Sequence, residues 1–319
     1  PSTFVRDVFK SCVFDIEDEK TRQKKGQLQL TKPIEVLFEG TDTKIYKKTN
    51  EFSKEFIDEM KKVDDTFNFL YVGHWLAGKV GNDRKDTGMM LKVFLETFKN
   101  MKKKPGLIMK TSGAGFSVLD REEILEKIRV IKEGVKGDLP NVYLLHGDFT
   151  DDEMNGLYNH PKVKAHVNLT HGEGFGRPLL EASLSEKPII ASNWSGHVDF
   201  LNDKLSILLP GSLVDVPKKS FPKEMYIQGA QWFSVNYQNT SSYMKDVYLN
   251  YKKYTLNAKK LARVNKSRFS LDAMTKELGK ILDKYVPEFP KEVELKLPKL
   301  KKVGSPVENE IKLPKLKKV

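Results

Sequence analysis

Apolar residues fall in short, almost unbroken runs at 34–40, 67–73, 106–110, 141–147, 165–170, 188–192 and 206–211. A strand buried on both faces shows no polar alternation, so these runs predict interior strands. Between them, 86–101, 121–134 and 150–158 carry apolar residues at helical spacing. Residues 120–123 and 150–153 have the form of capping boxes, in which a side-chain oxygen satisfies an orphan amide of the first turn. The alternation predicts an α/β chain with a mainly parallel, doubly wound sheet, because each crossover helix returns the chain to the same edge. Ligands of such sheets bind beyond the carboxyl ends of the strands.

The flanks read differently. In 1–33, Phe4, Val5, Val8, Phe9 and Val13 form an apolar pattern that predicts a linking helical segment with Cys12 as a small buried hydrophobe. The sheet domain is expected over 34–225 and C-terminal helices over 226–286, with helical patterns through Trp232, 239–256 and 270–285. Trp232, Phe233 and Tyr237 read as core residues of that region rather than as a sugar-stacking platform. Lys102, Lys103 and Lys104 read as the C-terminus of the preceding helix, complementing its dipole. Residues 287–319 predict a flexible basic tail: 294–303 is repeated as 310–319 with a single change, Leu295 against Ile311. A central proline in each copy argues against a continuous helix. Leu297, Pro298 and Leu300 interleaved with lysine suit a docking peptide for a protein partner, and a neutral duplication is the plainer reading.

Composition narrows the classes. The 319 residues are 39% hydrophobic and 31% charged, enough to bury a core. Fifty-five basic against 43 acidic residues leave a formal charge of +12, four of it in the tail. That excess suits phosphorylated small molecules, nucleic acid or a membrane surface. The single cysteine excludes an intrachain disulfide and a cysteine zinc site. No apolar run approaches the ~20 residues of a membrane span, no signal peptide is visible after Pro1, and a cytoplasmic location is expected. The six histidines lack metal-binding spacing, and Asp64-Asp65 and Asp151-Asp152-Glu153 read as caps and turns.

The chemistry concentrates in Thr170-His-Gly-Glu-Gly-Phe-Gly-Arg-Pro-Leu-Leu-Glu-Ala182, which runs from a strand end into a helix. Gly172, Gly174 and Gly176 let a ligand approach the backbone, and amides at a helix start attract phosphate. The carboxylates of Glu173 and Glu181 suit sugar or ribose hydroxyls, which donate hydrogen bonds. A plain structural turn would use the same glycines.

With 188–201 added, the segment resembles the C-terminal, donor-binding domain of retaining glycosyltransferases with the B-type fold, particularly family 4 (group 1). Glu173 and Glu181 have that family's spacing, and Ser195, Gly196 and Asp199 its Ser-Gly-x-x-Asp element. Pro1-Ser2-Thr-Phe is similar to its hinge, Phe38-Glu-Gly-Thr-Asp42 to its interdomain turn, and Tyr71-Val-Gly73 followed by Arg84-Lys85 to its first phosphate-binding region. The resemblance covers about 1–285 and implies a Rossmann-like sheet binding a nucleotide-diphosphate sugar, with no further cofactor. It implies that Glu181 binds ribose and Glu173 the donor sugar. Gly174, Phe175 and Gly176 would offer amides to sugar and diphosphate, and Lys85 and Arg84 would neutralise the diphosphate. Gly73 and His74 would line the phosphate region, the loop after His146-Gly147 would border the base, and Thr170 and His171 would line the cleft. The reaction implied is sugar transfer to an unknown acceptor with retention. No Asp-x-Asp occurs, which disfavours an essential divalent metal.

The chain departs from the family pattern in three ways. His74 stands where arginine is usual, and Asp86 where glycine usually follows the phosphate lysine; both reduce positive charge near the diphosphate, with Arg84 or Lys79 available to compensate. The N-terminal acceptor domain has no counterpart, so this is expected to be a fragment, to have its other half supplied elsewhere, or to have lost catalysis. The leading reading is therefore a glycosyltransferase. A non-catalytic binding module derived from one is the alternative, and a transferase acting on modified nucleic acid is a further one. No DNA-reading motif supports the last, so a nucleic-acid partner is not expected. His197 reads equally as a cleft or a packing residue. Deleting 287–319 is expected to abolish capture of a tail-binding partner in pull-downs while leaving nucleotide-sugar affinity unchanged; an unchanged set of captured proteins would contradict docking.

Overall fold

The computed structural model describes residues 1–76, 80–113, 115–220 and 229–287. Its centre is a six-stranded parallel sheet of β3 (Asn68–Val72), β4 (Gly106–Lys110), β5 (Val142–Leu145), β6 (Val163–Asn168), β7 (Ile189–Ser192) and β8 (Ile207–Leu209). The strands lie in the order β5-β4-β3-β6-β7-β8. Side chains along β3 and β4 alternate between the two faces: Phe69, Tyr71, Leu107 and Met109 join one apolar cluster, Leu70 and Ile108 the other. Both faces are dry, which is why the runs carry no polar alternation.

The helices that cover the sheet are α2 (Lys54–Lys61), α3 (Thr87–Phe98), α4 (Val118–Glu133), α5 (Asp151–Asn159), α6 (Arg177–Ser183), α7 (Tyr237–Leu249) and α8 (Tyr251–Arg268). Met90, Leu91, Phe94, Leu95 and Phe98 of α3 are fully buried, each worth about 1.5–3 kcal/mol of transfer free energy. The box at 150–153 forms as expected: Thr150 Oγ1 accepts from Glu153 N–H and the Glu153 carboxylate accepts from Thr150 N–H. The one at 120–123 does not. Ser117 caps α4 instead, and the Asp120 carboxylate accepts from Gly113 N–H at 2.9 Å and lies 2.7 Å from His146 Nε2.

Four expectations about the flanks are corrected. The run 34–40 forms no strand; its apolar residues serve packing instead, with Phe38 edge-on to Phe269 at 5.1 Å, and Thr41 bridging Ser270 at the start of α9 (Leu271–Tyr285). The 1–33 segment is helical only in α1 (Thr3–Ser11) and continues as an antiparallel hairpin of β1 (Val13–Glu17) and β2 (Lys24–Gln29). Val8, Phe9, Phe14, Leu28 and Leu30 stay exposed around an apolar hollow of about 420 Å³, and Cys12 is only half-buried beside them. Trp232 lies in β10 (Gln231–Val235), paired with β9 (Gly211–Asp215), so the first element among the described residues of 226–286 is a strand rather than a helix. Lys102–Lys104 lie beyond the end of α3, where Lys104 pairs with Asp138. Lys79, residues 221–228 at the expected domain boundary, and the tail from 288 onward lie outside the described residues. Among the described residues no helix is long and apolar enough to cross a membrane.

The start of α1 is fastened to the sheet domain. Asp199 accepts from Thr3 N–H at 2.8 Å and from the Thr3 hydroxyl, Ser2 Oγ donates to Gly174 O at 2.6 Å, and Phe4 meets Trp194 edge-on at 5.2 Å. Gly196 makes this closeness feasible, since a Cβ there would stand 2.2 Å from Gly174 O. An ordinary Gly→Ala change stabilises by about 0.4–1 kcal/mol. Gly196→Ala is expected to do the reverse, lowering the unfolding free energy by about 1–3 kcal/mol through overpacking; a urea midpoint at or above that of the parent would contradict this.

Candidate functional site

Between β3 and β6 the strand order reverses, so the loops leaving their carboxyl ends diverge and open a crevice. Here the two loops are stitched together. His171 N–H donates to Arg84 O at 2.9 Å, Thr170 Oγ1 donates to Arg84 O at 3.3 Å, and Arg84 Nη1 donates to Gly172 O at 2.8 Å. Lys85 forms an ion pair with Glu173, and Arg84 Nη1 lies 3.5 Å from the same carboxylate. Glu173 is fixed from behind: its N–H donates to Ser195 Oγ at 2.8 Å, and its carbonyl accepts from Gly196 N–H at 2.9 Å.

Both partners of the pair are largely buried, the side chains of Lys85 and Glu173 being 13% and 9% exposed. Burial pushes the Glu173 carboxyl up, but Lys85 and Arg84 outweigh it and hold it below the usual range. Burial also lowers the Lys85 ammonium pKa, with Arg84 adding to the effect and Glu173 opposing it. Glu181 on α6 is 6% exposed. It accepts from Arg177 Nε at 2.7 Å and from the Tyr158 hydroxyl at 3.3 Å, and burial raises its pKa to about 6.

A cleft of about 320 Å³ opens beside these loops, lined among others by Gly73, His74, Lys85, Ser112 and Phe149. His74 Nδ1 lies 3.2 Å from Ser112 Oγ. Gly147, at φ +132, sits beside the cleft, where its carbonyl accepts from Lys110 Nζ at 2.7 Å. Gly174 is exposed, whereas Gly176, at φ +94, is buried at the start of α6. The Phe175 ring is core, tilted against Phe200 at 5.1 Å, so only its backbone could serve a ligand.

Thr170 and His171 do not line the cleft. Thr170 is fully buried, and His171 stacks on Trp232 at 4.0 Å with Nδ1 2.7 Å from Phe233 O. Both side chains tie loops together. Trp232 and Phe233 are buried as expected, while Tyr237, only partly buried, donates through its hydroxyl to Asp86 at 2.8 Å. His197 is a packing residue, wholly buried with Nε2 2.6 Å from Ser192 O.

Asp86 adds no stable negative charge to the cleft. Its backbone adopts the left-handed region, φ 52, which glycine enters freely. Its carboxylate turns inward, and burial raises its pKa to about 7. Arg84 is already engaged with Gly172 and Glu173. Sequence reasoning missed Lys110, whose signal was a lone charge closing the apolar run 106–110. It also missed the Asp86–Tyr237 contact between distant elements, which no local pattern encodes. Among the described residues no cluster of three or more His, Cys, Asp or Glu side chains could hold a metal.

Three solved structures share this architecture. Anabaena HepE in complex with UDP-glucose superposes with a TM-score of 0.53 at 16% identity, over 78% of this chain and 57% of its own. A glycosyltransferase from Rickettsia africae ESF-5 gives 0.51 at 15%, over 78% and 56%. Sucrose-phosphate synthase from Thermosynechococcus elongatus gives 0.53 at 13%, over 78% and 51%. The fold is Rossmann-like and matches that of B-type glycosyltransferase domains. At such identities the likeness shows the fold alone, and the chain spans just over half the length of these relatives. No protein-family model and no curated protein sequence matches it.

Of the two ion pairs that cross the reversal point to Glu173, Lys85–Glu173 is the more buried. Lys85→Met and Glu173→Gln are each expected to cost about 3 kcal/mol by stranding a buried charge. The double variant should lose clearly less than the sum; strict additivity in a denaturation cycle would show that the two do not interact.

Proposed function

We propose that this chain is the donor-binding domain of a family 4 retaining glycosyltransferase, taking a nucleotide-diphosphate sugar. The observation that carries the reading is Lys85, which lines a cleft beside the point where the sheet order reverses and pairs there with Glu173. A diphosphate entering there takes Glu173's place at Lys85, and the freed carboxylate turns to the hydroxyls of the transferred sugar. Glu181 accepts from the ribose hydroxyls while Arg177 keeps its charge. As the glycosidic bond breaks, negative charge grows on the leaving diphosphate, and Lys85 with the exposed Gly174 amide stabilises it. Retention follows if the acceptor attacks from the leaving group's own face, a route that needs no protein nucleophile and no metal. HepE, whose structure contains UDP-glucose, shares the fold.

A non-catalytic sugar-nucleotide module is the second reading, favoured by His74 in place of the usual arginine. Turnover separates the two: hydrolysis of, or transfer from, a nucleotide sugar by the full chain occurs only if the first is right.

Binding itself has a pH signature. Glu181 is raised to about 6, so its carboxylate is present above that pH and lost as pH falls through it. Affinity for a nucleotide sugar, whose diphosphate diester does not titrate in this range, is expected to fall about tenfold between pH 7.5 and pH 5, one unit below the group's pKa. Calorimetry with UDP-, GDP- and ADP-sugars at both pH values measures this. Glu181→Gln should flatten the profile, and an unchanged slope in that variant would remove Glu181 from the site.

A further inference from the structure

Lys110 takes no part in the roles described above, yet it lines the same cleft as Lys85 and His74. It closes β4 and is half-buried, and its ammonium is held in place from three sides. One N–H goes to Gly147 O at 2.7 Å, and the rings of Phe149 and Phe116 lie 4.7 Å and 5.6 Å from it. An ammonium carries three donors and no acceptor, so among the described contacts two N–H groups remain for a ligand. Burial lowers its pKa, and the nearby Asp148 acts in the opposite direction, helping to retain the charge.

The cleft therefore has two unlike ends. One holds Lys85, whose charge is matched by a carboxylate and suits phosphate. The other, beyond the ends of β4 and β5, presents two aromatic rings around a fixed donor. A planar heterocycle stacks against such rings, and the edge it turns to Lys110 must carry an acceptor. Guanine offers O6 and N7, and uracil the two lone pairs of a carbonyl oxygen, so both free N–H groups can find acceptors, whereas adenine offers a single ring nitrogen beside its amino donor. Against adenine one of the two N–H groups meets the amino group and stays unpaired, which costs affinity.

We propose that Lys110 sets the base preference of the cleft, favouring nucleotides whose base turns a carbonyl oxygen to it, such as uracil or guanine, over adenine. The proposal rests on the reading of the cleft as a nucleoside-diphosphate-sugar site. The test is titration of the full chain with UDP, GDP and ADP, comparing the parent with Lys110→Met and Lys110→Arg. The parent should bind UDP or GDP at least about tenfold more tightly than ADP. Lys110→Met should weaken the preferred nucleotide about tenfold and leave ADP within about twofold, erasing the preference, and Lys110→Arg should largely restore it. Thermal melts of each variant establish that the fold is intact. A uniform loss for all three nucleotides on Lys110→Met would assign Lys110 to the diphosphate and overturn the proposal. So would a parent that binds all three equally. Failure of the parent to bind any of them would instead reject the underlying reading, and this proposal with it.

Discussion

The hydrogen bond from His171 N–H to Arg84 O is the constraint on which the site depends. It joins two loops that leave neighbouring strands in opposite directions. It fixes the backbone register in which Lys85 faces Glu173. The bond is itself braced: Thr170 and Arg84 add side-chain contacts, and stacking of His171 on Trp232 reaches the β9–β10 hairpin. A feature as remote as a two-stranded hairpin thus helps to locate the charged pair.

The second theme is how buried charge is managed. Glu173 is kept ionised by cations, while Glu181 and Asp86 are raised toward neutrality by burial and held by tyrosine hydroxyls. These carboxyls belong to different elements and have different neighbours, so one chemical group takes on distinct electrostatic characters within one site. Asp86 illustrates the cost. It occupies a left-handed position that favours glycine, and in return links α3 to α7 through Tyr237.

Much of this was legible from sequence, for identifiable reasons. Six of the seven apolar runs form central strands because double-sided burial leaves a continuous signature. The seventh, 34–40, has the same composition, yet is apolar through contact with Phe269 and α9 rather than through pairing. Local pattern does not distinguish these two causes. The Trp232 strand was hidden because β10 pairs only with β9, a short strand that sits outside the main sheet. In the candidate site, the spacing of Glu173 and Glu181 singled out two carboxylates that the fold buries near the reversal point. It did not indicate that Thr170, His171 and the Phe175 ring point inward, since side-chain direction depends on tertiary neighbours such as Trp232 and Phe200.

The closed Lys85–Glu173 pair also makes the cleft mouth an ion exchanger. In the closed state the carboxylate already supplies one unit of negative charge to the ammonium. A singly charged anion arriving from solvent would replace like with like and would have to shed its own hydration to do so. A ligand gains by displacing Glu173 only when it brings more than one negative charge to the same place. On the donor-binding reading, the pair would therefore set a threshold of valence that a diphosphate meets and a monoanion does not.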